Sequence, residues 1–325
     1  MSVIPNTAGD ERRAGDPSTV PGIPEGLEVT EQPPTGGWGH GRPLALLVHG
    51  SLDRGRSFGR VARRLGAIGV VTYDRRGYQG SRGAGVSDDL AVHVQDLLGV
   101  ATAYAEHRVK GSVVVAVGHS VGATIVLSAA ISAPTRFAAI GAYEPSMPWL
   151  GFYRRGTHAS PVGQEAADPG GEAERFFRRM VSDAAWERLG EEQREGRRAD
   201  GPALLADLRA IRAGVPFDVT GLSVPTIVCS GGPASFAHHR DTADWLAAHG
   251  ASVRRSTIDD AGHGAHLSHP DAFASLVLEV VALASSATDG DGDGGGESEG
   301  PEGGDGERED PTGRDREVPR EPGRR

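Results

Sequence analysis

Six short apolar runs mark the middle of the chain: PLALLVHG (43–50), IGVVTYD (68–74), SVVVAVG (112–118), FAAIGAY (137–143), PTIVCSG (225–231) and the weaker SVRRSTID (252–259). They are rich in Val and Ile and show little alternation, which predicts strands of a parallel sheet buried on both faces. Helical stretches separate them at 56–65, 87–106, 121–134, 237–249 and 270–286. This order predicts an α/β fold built on a mostly parallel, doubly wound sheet. An earlier piece, GLEVTEQ (26–32), is a candidate antiparallel edge strand. Residues 146–222 break the rhythm, with two helical patterns (172–189 and 203–213) and no strand. In the second pattern Leu204, Leu208 and Ile211 share a face. This segment also holds Trp149, Phe152, Tyr153, Phe176, Phe177, Trp186 and Phe217, and is expected to form a small helical lid over the carboxyl edge of the sheet.

Composition separates the ends from this core. Residues 1–25 are Pro-, Gly- and charge-rich without periodicity, and are expected to be disordered. The stretch 288–325 reads as a disordered, acidic, Gly-rich tail, because from Asp289 onward it carries one Val and no other aliphatic or aromatic side chain. The tail accounts for most of the formal net charge of −10. One domain over 26–287 remains, with 146–222 inserted into it. An acidic total argues against nucleic acid as a partner. No apolar run approaches the roughly 20 residues of a membrane span, and the N-terminus lacks a secretory apolar region, so a cytoplasmic protein is expected. The single cysteine, Cys229, excludes a disulfide framework and reads as a small core residue in a strand. Asp289-Gly290-Asp291-Gly292-Asp293-Gly294 imitates the start of a calcium loop, but Gly300 stands where the closing Glu belongs. His238-His239 lacks a ligand spacing, so no metal site is expected.

The chemistry centres on Gly118-His119-Ser120-Val121-Gly122. A bare G-x-S-x-G is a weak signal, but this one follows a strand and opens a helix. That setting pushes Ser120 out at the carboxyl end of the sheet as a nucleophile. A hydroxyl needs a base. His263, directly after Gly262 in the loop beyond the last strand, is the best placed; His266 and His269 are rivals in the same loop. The base needs an acid, and the loop after PTIVCSG offers none. Glu144, in Tyr143-Glu144-Pro145 at a strand end, keeps the chain order Ser, acid, His; Asp241, Asp259 and Asp260 are the alternatives. The backbone N–H groups of Ser51 and Val121 are the expected oxyanion donors, with Leu52 next after Ser51. His49 is expected to hold its loop. Arg75 and Arg76 are expected in a solvated charged loop.

With LLVHGS, YDRRGYQGS, VGHSVGA, YEP and AGHGAHLSHP on one chain, the sequence resembles the α/β-hydrolase fold serine hydrolases over about residues 26–287. It is similar to the bacterial esterase and lipase-like branch in which the acid follows strand six. The resemblance implies Ser120 after strand five, His263 after strand eight, and hydrolysis of a small-molecule acyl substrate through an acyl-enzyme, without cofactor or metal. It departs from the family pattern at Gln79, where a second Gly is usual, at Phe58, where Trp is usual, and in lacking the Asp after strand seven. A Ser nucleophile argues against the similar epoxide hydrolase and haloalkane dehalogenase branches, which use Asp. The same constellation could serve an acyltransferase, or a non-catalytic homologue binding a small ligand under the lid.

Overall fold

A computed structural model describes residues 20–152 and 168–289. Seven strands form one sheet: β1 (Val29–Gln32), β2 (Leu44–Val48), β3 (Gly69–Tyr73), β4 (Val114–His119), β5 (Ala139–Tyr143), β6 (Thr226–Gly231) and β7 (Val253–Ile258). Their order is β1-β3-β2-β4-β5-β6-β7, with β1 antiparallel to β3 and every other pair parallel. The nucleophile strand of the resemblance is therefore β4 here, the acid strand is β5, and His263 follows β7.

Among the described residues ten helices cover or extend the sheet: α1 (Gly59–Ala62), α2 (Leu90–His107), α3 (Val121–Ser132), α4 (Pro169–Met180), α5 (Asp183–Glu187), α6 (Glu191–Ala199), α7 (Gly201–Ala210), α8 (Ala237–His249), α9 (Ala265–Ser268) and α10 (Pro270–Asp289). Alternate strand residues point into two cores. Leu44, Leu46, Val48, Ala116 and Ile140 pack with α2, α3, α8 and the inserted helices. Ala45, Leu47, Val115, Val117 and Cys229 pack with α1 and α10. Burial on both faces explains why these strands read as unbroken apolar runs. Among the described residues no helix is long and apolar enough to cross a membrane.

The structure alters several local expectations. Residues 20–25 are not part of a disordered end. Val20 is buried, and Pro24 lies against Gly99 of α2, because this short apolar stretch has a groove to fill. The remainder of that end, the tail beyond Asp289 with its calcium-like sequence, and residues 153–167 of the expected lid, including Tyr153, lie outside the described residues. The helix expected at 56–65 is a 3-10 turn (Gly55–Phe58) followed by the single turn of α1. The helix expected at 172–189 breaks in two, because the Ser182 hydroxyl accepts the Ala185 N–H and caps a new helix, α5. Helix α6 was not legible. It has no apolar face and is tied down by ion pairs instead, Arg198 to Glu174 at 2.9 Å and Arg194 to Glu187 at 3.5 Å.

The turn from β4 into α3 requires bare backbone. A Cβ on Gly122 would lie 2.2 Å from the Val48 carbonyl oxygen, and one on Gly118 would lie 2.4 Å from the Ala123 Cα. Both obstacles are backbone and cannot swing away. Gly122→Ala should therefore cost about 1–3 kcal/mol or more, the range for forced overpacking. Urea unfolding measures it, and a midpoint equal to wild type would contradict the contact.

Candidate active site

Ser120 sits between β4 and α3 with φ 56° and ψ −123°. Few residues with a Cβ adopt this left-handed region, and here the β4–α3 turn enforces it. The Ser120 N–H donates to the Tyr143 carbonyl at 3.0 Å, which locks the turn to β5. Its hydroxyl shares a hydrogen bond with the Ser146 hydroxyl at 3.2 Å. Thr124 fixes Ser146 in turn, its hydroxyl donating to the Ser146 carbonyl at 2.8 Å. Sequence reasoning missed Ser146. The available signal was its place two residues beyond Glu144, at the same sheet edge.

Glu144 follows β5 directly, is fully buried, and also has a positive φ of 46°. His263 Nδ1 lies 2.6 Å from Glu144 Oε2. A carboxylate only accepts, so the proton of this bond is on Nδ1 and Nε2 is left as the acceptor. Glu144 Oε1 accepts the Gly231 N–H at 2.7 Å and the Ser235 hydroxyl at 2.5 Å. Burial pushes the Glu144 carboxyl upward, but these bonds and the neighbouring His263 hold it below the ordinary glutamate value. The alternatives Asp241, Asp259 and Asp260 are exposed.

Three further histidines surround this pair. His239 is buried and stacks on His263 with rings 4.6 Å apart and 5° from parallel, and its Nε2 lies 3.7 Å from Glu144 Oε2. His119 Nε2 bonds the His263 carbonyl at 2.8 Å, fixing the loop that carries the base. Burial keeps the His119 imidazole well below its ordinary pKa, so it stays a neutral prop. The rival His266 is committed to Asp53, 3.0 Å away, and packs on Phe58. His269 pairs with the Ser268 hydroxyl. Glu144, His239 and His263 form one cluster of ligand-type atoms within 4.8 Å, and Asp53, His119 and His266 form another. On spacing either could approach a cation, although Glu144–His263 and Asp53–His266 already bond within themselves.

The loop after β2, expected to supply an oxyanion donor, is braced by α7. Val121 is the first residue of α3, so helix geometry gives its N–H no acceptor and leaves it aimed outward. Ser51 lines the same cavity as Ser120. The Leu52 amide faces the Tyr78 hydroxyl instead. The Ser51 hydroxyl donates to Asp207 Oδ2 at 2.7 Å, from β2's loop across to α7. Arg75 grips both Asp207 oxygens at 2.9 and 2.6 Å, and also donates to the carbonyls of His49 and Gly50. Arg75 is thus no solvated loop residue: its side chain and that of Asp207 are each 1% exposed. The expectation failed because its partner lies 132 positions away. Arg76 pairs with Asp96 at 2.7 Å. His49 Nε2 accepts the Arg75 N–H at 2.8 Å, and burial pushes its pKa down to about 3. It is a structural group, not a base.

Ser120 and His263 line two joined lobes, of about 550 and 630 Å³ including their open mouths. Phe176 and Met180 of α4 line both lobes together with Ser120. Such a setting brings the Ser120 hydroxyl and the His263 imidazole to one cavity, with the buried Glu144 carboxylate bonded to the imidazole.

Comparison with known proteins agrees with this fold. Residues 45–276 match the model of an alpha/beta hydrolase family. Among solved structures, a hydrolase from Pseudomonas aeruginosa is 20% identical with TM-score 0.57, covering 78% of this chain and 94% of its own. The enol-lactonase from Burkholderia xenovorans is 17% identical with TM-score 0.59, covering 79% and 96%. A thermophilic esterase from Thermogutta terrifontis is 19% identical with TM-score 0.56, covering 79% and 93%. At these identities the likeness is one of fold.

Proposed function

The chain belongs to the alpha/beta hydrolase family, and we propose that within it this protein is a serine hydrolase that cleaves an ester or related acyl bond of a small molecule through an acyl-enzyme. The observation that carries the reading is the 2.6 Å pair of His263 and buried Glu144 beside a nucleophile-elbow Ser120. The Ser120 hydroxyl leaves Ser146, turns to His263 Nε2 and attacks the substrate carbonyl carbon as its proton passes to the imidazole. The carbonyl oxygen becomes an oxyanion held by the Ser51 and Val121 amides. As it collapses, the bond to the alcohol breaks and imidazolium protonates the departing oxygen. Water then gives a proton to His263 and attacks the acyl-enzyme, and the acid product leaves with Ser120 restored. Glu144 stabilises the imidazolium at both stages. The insertion serves as the lid that excludes bulk water.

A fluorophosphonate probe and a series of p-nitrophenyl esters test the proposal. Stoichiometric labelling and a burst of one nitrophenolate per chain are expected. A pure, folded sample that neither labels nor turns over any ester of the series would sink it. Glu144→Gln keeps the shape but presents an amide to His263 Nδ1, removing the charge that supports the imidazolium. A loss of about 10²- to 10³-fold in kcat is expected with folding retained, since charge and tautomer are both disturbed. If Asp259→Asn cripples turnover and Glu144→Gln does not, the acid is misassigned.

A further inference from the structure

We propose that the buried Asp53–His266 pair is a positioning element of the reaction, holding the loop after β2 in register with the loop that carries His263. This rests on the serine-hydrolase reading and adds two residues to its machinery. In that reading the Ser51 amide and the His263 imidazole must meet at one substrate carbonyl. The sheet alone does not bring their loops together. Strands β2 and β7 have β4, β5 and β6 between them, a separation of about 19 Å at the ordinary inter-strand spacing. Side chains have to join what the strand order keeps apart.

Asp53 follows Ser51 and Leu52 in the first loop, and His266 lies in the single turn of α9 just beyond His263. His266 Nε2 donates to Asp53 Oδ2 at 3.0 Å, and the same oxygen accepts the Ser57 hydroxyl at 3.0 Å. Both side chains are buried, and both line the lobe that also holds Ser120 and His263. The His266 ring packs against Phe58, 4.9 Å away, and His119, 4.5 Å away. His119 belongs to the elbow, and its Nε2 donates to the His263 carbonyl at 2.8 Å. Tyr143, directly before Glu144, donates its hydroxyl to the Gly262 carbonyl at 2.7 Å. The His263 loop is thus bonded to the elbow of Ser120, to the strand end of Glu144 and, through His266, to the loop of Ser51. Two more ties join the segments after β2 and after β7, Arg60 to the Leu267 carbonyl and Arg64 to Asp271, but both are exposed and contribute little in water. The buried pair therefore carries the register, and a slip of about 1 Å between such groups costs about 10²-fold in rate.

The test separates register from stability, using the full chain and the p-nitrophenyl ester that wild type cleaves fastest. Asp53→Leu and His266→Leu each leave the other partner buried alone, and should melt below wild type. The double variant replaces both by apolar groups and should recover much of that stability. Its kcat and its rate of fluorophosphonate labelling should nevertheless stay about 10²-fold below wild type, because the tie is still missing. Phenyl trifluoromethyl ketone gives a second readout. Ser120 adds to its carbonyl carbon, the hydroxyl proton passes to His263, and the carbonyl oxygen becomes an oxyanion. That adduct needs both loops in place, so its affinity should fall by a similar factor. His266→Gln presents an amide N–H where Nε2–H stood and should keep most of the rate, whereas the shorter His266→Asn should not. A double variant with wild-type kcat makes the pair merely structural and overturns the proposal. Should the double variant fail to fold, the Gln and Asn variants decide, and equal kcat in these two overturns it. Wild type that neither turns over any ester of the series nor labels overturns the serine-hydrolase reading as well.

Discussion

Replacing Ser120 with alanine will lower ester turnover on the order of 10⁴-fold or more and abolish fluorophosphonate labelling. In the proposed mechanism this hydroxyl forms the acyl-enzyme, so its loss removes the covalent route rather than one contact among many. What survives is the polarisation of the carbonyl by the Ser51 and Val121 amides, worth a residual acceleration over water. The variant should still fold, because the turn depends on Gly118 and Gly122 and on a backbone bond to Tyr143, none of which involves the hydroxyl. Steady-state kinetics with thermal unfolding as a control checks this. Activity above one-hundredth of wild type in a pure sample would move the nucleophile elsewhere.

The second large effect is on stability. Asp207→Ala leaves the Arg75 guanidinium buried without its carboxylate, and removing one partner of such a pair costs about 3–5 kcal/mol. For a domain of this size that lowers the melting temperature on the order of 10 °C. Arg75→Met with Asp207→Leu replaces both charges by apolar groups and should cost far less. The pair also sets a pH trend. Burial pushes the Asp207 carboxyl up, but the Arg75 charge and hydrogen bonds hold it well below the ordinary value of 3.8. A depressed carboxylate stabilises the fold fully above the unfolded value, and that contribution is lost as the pH falls below 3.8 toward the folded value. Urea midpoints across pH 2–6 should show the loss in wild type and a weaker one in the double variant. A melting temperature for Asp207→Ala equal to wild type would remove the pair from the account.

The sheet was legible because parallel strands buried on two faces must be continuous apolar runs. The ends of those runs placed Ser120, Glu144 and His263 at one edge, where the structure bonds Glu144 to His263 and has His263 line the same cavity as Ser120. The groups that orient them were not legible. Ser235 and Gly231 reach Glu144, and His119 reaches His263, across separations of 87 to 144 residues that no local pattern encodes. Arg75 read as solvated because charged loops usually are. One clue was present: Asp207 lies on the same helical face as Leu204, Leu208 and Ile211, and a carboxylate on an apolar face asks for a buried cation. Helix α6 left no trace, since ion pairs rather than an apolar stripe hold it.

The bond from Ser51 to Asp207 ties the loop after β2, which we propose holds the oxyanion, to the inserted helices, and so limits how this enzyme can diversify. Here the insertion supplies a strut, Asp207, to the loops at the carboxyl edge of the sheet. A graft from a relative that lacks a carboxylate at this place would bring a new pocket and strand Arg75 at once. New specificities are therefore most accessible through side chains of α4 that face the cavity, such as Phe176 and Met180, with α7 inherited unchanged.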